Sequence, residues 1–266
     1  MFFALRRSAV AAVVAAAGAL TAPSLAAQAA PAPTVTTQEA GCTEEAFTRS
    51  IIRETVDPLV PDELELTPTF TPVGSKPRVL GFINVVTCTQ VTLDGPASAY
   101  FRQHPTTTTF IFSAALLDGT AYVLLYATDN PVLAARYRQL GWPVQLLSPK
   151  TSSIPMTRSD GSQRLIWSLQ GSGWNGVVDG SVPQALNPTE ASTFELVHET
   201  NGTLLHLCYA NLSSSTPNMV WFDLSNTPVA DFAAVSVLPI DPKIEISGSY
   251  GVGGWTATLT TQACPA

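Results

Sequence analysis

Apolar and polar positions alternate along much of this chain, and only two segments repeat at helical spacing. From residue 78 to 93 the alternation is apolar on both sides. Leu80, Phe82, Asn84, Val86 and Cys88 share one face, and Val79, Ile83, Val85, Thr87 and Val91 the other. Such a strand belongs in the middle of a sheet or barrel wall. Residues 107–117 and 122–128 flank Asp118-Gly119, and residues 193–199 and 203–210 flank Asn201-Gly202. Both dipeptides favour the positive φ angles of tight hairpin turns. Further strands are predicted at 163–170, 220–224, 233–240, 243–249 and 255–261. A helix is predicted over 131–140, capped by Asn130, opened by Pro131, ended by Gly141, with Leu133, Tyr137 and Leu140 on one face. A second is predicted over 44–56, capped by Thr43, with Phe47, Ile51 and Thr55 on one side and Glu44 and Glu45 in its first turn. About ten strands with two helices predict a mainly β fold, a large antiparallel sheet closed into a barrel with peripheral helices.

The N-terminus changes the picture of where this barrel works. Arg6 and Arg7, the apolar run 9–20 and Ala27-Gln28-Ala29 have the layout of a secretory signal peptide covering residues 1–29. The mature chain is expected to start at Ala30 and to be secreted. Residues 30–40, rich in Pro, Thr and Ala, read as a disordered linker, leaving 41–266 as the single domain. No later apolar run is long enough to span a bilayer.

The formal net charge is −7, and loss of the leader removes two arginines and no acid. With only Lys76, Lys150 and Lys243 as lysines, nucleic acid is a poor partner. Cys42, Cys88, Cys208 and Cys264 are even in number and too widely spaced for a C-x-x-C metal or redox motif. Two disulfides are expected; of the three connectivities, Cys42–Cys264 with Cys88–Cys208 is favoured because it ties the two ends of the domain. The chain has no G-x-S-x-G elbow and no H-E-x-x-H pair, and neither metal nor cofactor is expected. His198 and His206 lie on the two arms of the Asn201-Gly202 hairpin, where strand parity could bring them together; cross-strand packing is the simpler role for them.

The order strand, Asp129-Asn130-Pro131, short helix, Gly141-Trp142-Pro143, strand resembles the segment of the acetoacetate decarboxylase family that carries its catalytic lysine. The stretches VDPLVPDELELTP (56–68), FELVHETNGTLLHLCYANL (194–212) and FDLSNTPVADFAAVSV (222–237) are similar to that family in the same order. The resemblance implies a closed, cone-shaped barrel with an internal cavity. It also implies a Schiff-base lysine and a neighbouring lysine directly after the aromatic-Pro pair, the second ammonium lowering the pKa of the first. Here Val144 and Gln145 occupy those positions. The family's wall carboxylates are likewise unmatched in the 78–93 strand, where Asn84 is the comparable polar side chain. The candidate ligand-binding residues are Arg136, which could hold a carboxylate bidentately, Asn84, Trp142 and His206. The expected function is a secreted barrel that binds a small organic acid or apolar molecule without Schiff-base chemistry. Its alternatives are a lysine-independent lyase or hydrolase, and a filled barrel without ligand.

Overall fold

Phe47 and Ile51 are four residues apart, a spacing that suits one helix face and one strand face equally well. Pairing partners on both sides decide for the strand. Strand β1 runs Val35–Ile52 and is hydrogen-bonded to β2 (Arg78–Leu93) along one edge and to β11 (Glu245–Thr260) along the other. The expected 44–56 helix is therefore confined to a four-residue turn, α1 (Arg53–Val56). The expected linker is corrected in the same way, because Val35 to Ala40 lie in β1.

The computed structural model describes residues 34–71, 73–93, 98–185, 188–230 and 245–265. The leader and the strand expected at 233–240 lie outside them. The remaining elements are α2 (Ser98–Gln103), β3 (Thr107–Ala115), β4 (Ala121–Thr128), α3 (Pro131–Gln139), β5 (Val144–Leu146), β6 (Ser152–Thr157), β7 (Gln163–Gln170), β8 (Asn175–Ser181), β9 (Pro188–Thr200) and β10 (Thr203–Asn226). Among the described residues no helix is long and apolar enough to cross a membrane.

Seven strands close into a barrel in the order β11-β1-β2-β3-β4-β9-β10, with β10 pairing back onto β11. Its seams are antiparallel except β4–β9, a short parallel contact at Ala121–Leu196 and Tyr122–Val197. The two hairpin turns form as expected, with Gly119 at φ 92 and with Asn201 and Gly202 at φ 51 and 74. Beyond its barrel segment, β10 continues into β8, β7 and β6, a flap folded over the outer wall.

The wall thus separates two apolar cores. Between wall and flap lie Phe47, Ile83, Phe110, Trp167, Phe222 and their neighbours. The Trp167 indole N–H donates to Thr87 Oγ1 of β2 at 3.0 Å, tying flap to wall. Inside the barrel lie Val86, Tyr126, Leu207, Tyr209, Trp255 and Leu259, joined by Leu133, Ala134 and Tyr137 of α3.

Helix α3 is therefore a plug. Asn130 caps it, accepting from the N–H groups of Val132 and Leu133 at 3.1 and 3.0 Å, and its own amide donates to Thr107 Oγ1 at 3.0 Å. Thr107 lies opposite Cys88, at the end of the barrel away from Phe82 and Thr48.

The disulfides are Cys42–Cys88 and Cys208–Cys264, which corrects the favoured pairing. Cys42 and Cys88 are direct cross-strand partners of β1 and β2. A helix beginning at residue 44 leaves Cys42 with no strand neighbour, and it is the pairing of β1 with β2 that sets it beside Cys88.

Candidate functional site

The strand that sequence reading took for linker and helix supplies the carboxyl groups of the barrel interior. With Cys42 and Ala46 aimed inward, Glu44 also faces the lumen, while Glu45 and Phe47 face the flap. A register shift between Glu39 and Cys42 brings Glu39 to the lumen as well, with Gly41 at φ 59 where a side chain would be strained. Two carboxyl groups therefore stand inside the wall, on the strand next to the one searched for them.

Glu44 lies at the base of a cavity of about 520 Å³ at the end of the barrel opposite α3. Its Oε1 accepts a hydrogen bond from Asn84 Nδ2 at 2.6 Å. Phe82 of β2 and Phe194 of β9 meet edge to face at 6.3 Å, a contact that reaches across the lumen because β3 and β4 separate those strands in the wall. Ala46, Thr48, Thr193, Gly248 and Ser249 form the rim. Burial raises the Glu44 carboxyl above the ordinary carboxylate range, and the Asn84 hydrogen bond opposes that rise.

Behind Glu44, Asn84 and Phe194 is a second void of about 30 Å³, walled by Val86, Ile111, Tyr209 and Trp255. It has room for roughly one water. The lumen is then filled. Glu39 accepts from Thr37 Oγ1 at 3.1 Å, and burial pushes its carboxyl up to about 7 against that hydrogen bond. Tyr126, Tyr137 and Tyr209 crowd around it, their hydroxyls raised chiefly by burial and further by Glu39's negative charge. Glu39, Cys42 and Cys88 lie within 4.8 Å of one another, but the sulfurs are bonded to each other and offer no thiolate for a metal.

The position to which the family resemblance assigns the reactive amine lies in this filled half. Val144 is buried and paired with Tyr126 across the β4–β5 seam. Gln145 points the other way and accepts from the Trp174 indole N–H at 3.2 Å. Lys76 is ion-paired with Glu54 at the surface, Lys150 is exposed, and Lys243 lies outside the described residues.

Of the four expected ligand-binding residues, Asn84 borders the cavity. Arg136 donates to Gln139 of its own helix at 2.8 Å and does not border the cavity. Trp142 is buried at the plugged end, against Tyr126 and His198, with ring centroids 6.2 and 6.0 Å away. His206 is on the outer face, with Nδ1 2.5 Å from Glu195 Oε1. His198 is opposite Leu205 and His206 opposite Val197, so the two histidines occupy opposite faces of the wall. The residues missed were Glu44, Glu39, Phe82 and Phe194. Alternation of Cys42, Glu44 and Ala46 against Glu45, Phe47 and Ile51 was the available signal.

No protein-family model and no curated protein matches this chain. Solved structures do. The enduracididine biosynthesis enzyme MppR, solved with pyruvate, superimposes with a TM-score of 0.54 at 15% identity, over 88% of this chain and 91% of its own. An acetoacetate decarboxylase from Legionella pneumophila gives 0.51 at 11% identity over 84% of each chain. An acetoacetate decarboxylase-like enzyme from Sphingomonas wittichii RW1 gives 0.50 at 11%, over 92% of this chain and 98% of its own. The fold is that of the acetoacetate decarboxylase-like barrels.

Proposed function

We propose that this acetoacetate decarboxylase-like chain is an exported binding barrel, which takes a small, largely apolar molecule in its open end and performs no Schiff-base chemistry. The observation that carries the reading is the division of the lumen into a cavity of about 520 Å³ lined by Phe82 and Phe194 and a filled half that holds Val144. A cavity of that volume falls within the range of small-molecule sites, with Glu44 and Asn84 hydrogen-bonded to each other and only the hydroxyls of Thr48, Thr193 and Ser249 as further polar side chains on its lining. No cationic side chain borders it among the described residues, so an organic acid would enter beside a carboxyl group with nothing to neutralise it. An apolar ligand is favoured over an acid for that reason.

The leader of residues 1–29 and the two disulfides support export, since disulfides persist in oxidising compartments.

The test is ligand-observed NMR of the purified secreted protein against a panel of neutral aromatic and aliphatic fragments, with Ala46→Trp as the blocked control. Binding that Ala46→Trp abolishes supports the reading. Binding unaffected by the substitution, or none across the panel, overturns it. N-terminal sequencing of protein collected from the medium is expected to begin at Ala30.

A second reading rests on the raised Glu44 carboxyl, which suits a general acid in a lysine-independent lyase or hydrolase. Conversion of a bound fragment on prolonged incubation, lost in Glu44→Gln, would select it over simple binding.

A further inference from the structure

The open cavity is walled by aromatic edges and small residues and carries one ionisable group at its base. Glu44 Oε1 is taken by Asn84 Nδ2 at 2.6 Å, whereas Oε2 has no hydrogen-bond partner among the described residues. One carboxyl oxygen is thus held in place and the other is free to accept. Among the described residues no lysine, arginine or histidine borders the cavity to supply a counter-charge. Phe82 and Phe194, in contact with each other, flank the same space and offer an apolar aromatic surface to the rest of a ligand. The chain as a whole carries a net charge of −7, which draws cations toward a low-dielectric cleft.

We propose that the cavity selects a cationic, amine-bearing apolar molecule, with the ammonium group docked on the free oxygen of Glu44 and the hydrocarbon part packed against the Phe82–Phe194 pair. This rests on the cavity being a ligand site and adds the charge of the ligand. The ammonium provides the counter-charge that the wall lacks. A carboxylate of the same shape meets Glu44 with its charge unpaired, and an alcohol gains a single hydrogen bond without neutralising the carboxylate.

Acidity follows from the same geometry. Burial lifts the Glu44 carboxyl, and the other titratable groups near it are Glu45 on its own strand and Tyr209 of β10 across the inner void. Asn84 of β2, Phe194 of β9 and Gly248 and Ser249 of β11 bring no ionisable group. A bound ammonium, whose own pKa is about 10, stabilises the ionised Glu44, so affinity rises with pH as Glu44 loses its proton.

The experiment compares 4-phenylbutylamine, 4-phenylbutanol and 4-phenylbutyrate by isothermal titration calorimetry at pH 5 and pH 8, on wild type and on Glu44→Gln, whose melting curve is checked first. The expected result at pH 8 is amine binding at least tenfold tighter than the alcohol and the acid weakest. The amine preference should shrink at pH 5, and Glu44→Gln should bring the amine-to-alcohol ratio close to one. Equal binding of amine and alcohol, tighter binding of the acid, or an amine preference that survives Glu44→Gln overturns the inference while leaving the cavity a ligand site. Failure of all three probes overturns both readings.

Discussion

Glu45 is a fully buried ionisable group between barrel and flap, and replacing it with glutamine should remove its share of the stability lost as pH rises. Its side chain is buried and accepts from Asn218 Nδ2 at 2.8 and 3.2 Å. It lies so close over Gly180 that a Cβ there would overlap its carboxyl group. The neighbouring cation, Arg164, is already committed to Asp179, with Nε 2.5 Å from Oδ1. Burial raises the Glu45 carboxyl from 4.5 to about 8, against the pull of Asn218 and Arg164 and with help from Glu44 and Asp179. The folded state therefore keeps a proton that the unfolded chain releases above pH 4.5. Stability is full below that pH and is lost progressively as pH rises toward 8.

Each pH unit in that window is worth about 1.4 kcal/mol, which sets an upper bound of about 5 kcal/mol for the whole of it. Glu45→Gln stays neutral and fills the same volume. Thermal melts of both proteins from pH 5 to pH 8.5 should start close together and diverge, with glutamine ahead at pH 8.5 by on the order of 10 °C. Glu39 and Asp129, raised to about 7 and about 6, tilt both curves alike and cancel in the difference. Parallel curves would falsify the claim that Glu45 is held neutral.

Other perturbations test other parts of the structure. Non-reducing peptide mapping should recover Cys42 linked to Cys88 and Cys208 to Cys264. Cys42→Ala with Cys88→Ala, which opens a loop with a sequence separation of 46, should cost about 4 kcal/mol in urea denaturation by the chain-entropy estimate. Asn130→Ala removes the cap of α3 and its hydrogen bond to Thr107, and a loss of about 1–2 kcal/mol is expected. Val144→Lys with Gln145→Lys should form no borohydride-trapped adduct with acetoacetate by intact mass, because the amine is inserted against Tyr126 in the filled half of the lumen. The same variant should lose about 3–5 kcal/mol for an uncompensated buried charge. An adduct on the amine introduced in place of Val144 would show that substrate reaches that depth.

What the sequence determined by itself was what neighbouring residues settle among themselves. Asp118-Gly119 and Asn201-Gly202 made their turns because few other residues tolerate those φ angles. Asn130-Pro131 started its helix where a side-chain acceptor and a missing N–H suit the first turn. Residues 78–93, apolar on both faces, had no stable place except inside a wall, and β2 has a neighbour on each side and a core on each face. The barrel was legible from these elements together.

Residues 35–52 were not legible, because Phe47 and Ile51 fit either period. Two long strands and a closing seam distant in sequence made the choice. From that choice everything nearest the site followed: the Cys42–Cys88 bond, Glu39 and Glu44 in the lumen, and Glu45 under the flap. Whether a carboxyl on a strand faces water or an enclosed lumen depends on which chain segments cover each side of that strand, and that is a property of the closed barrel alone.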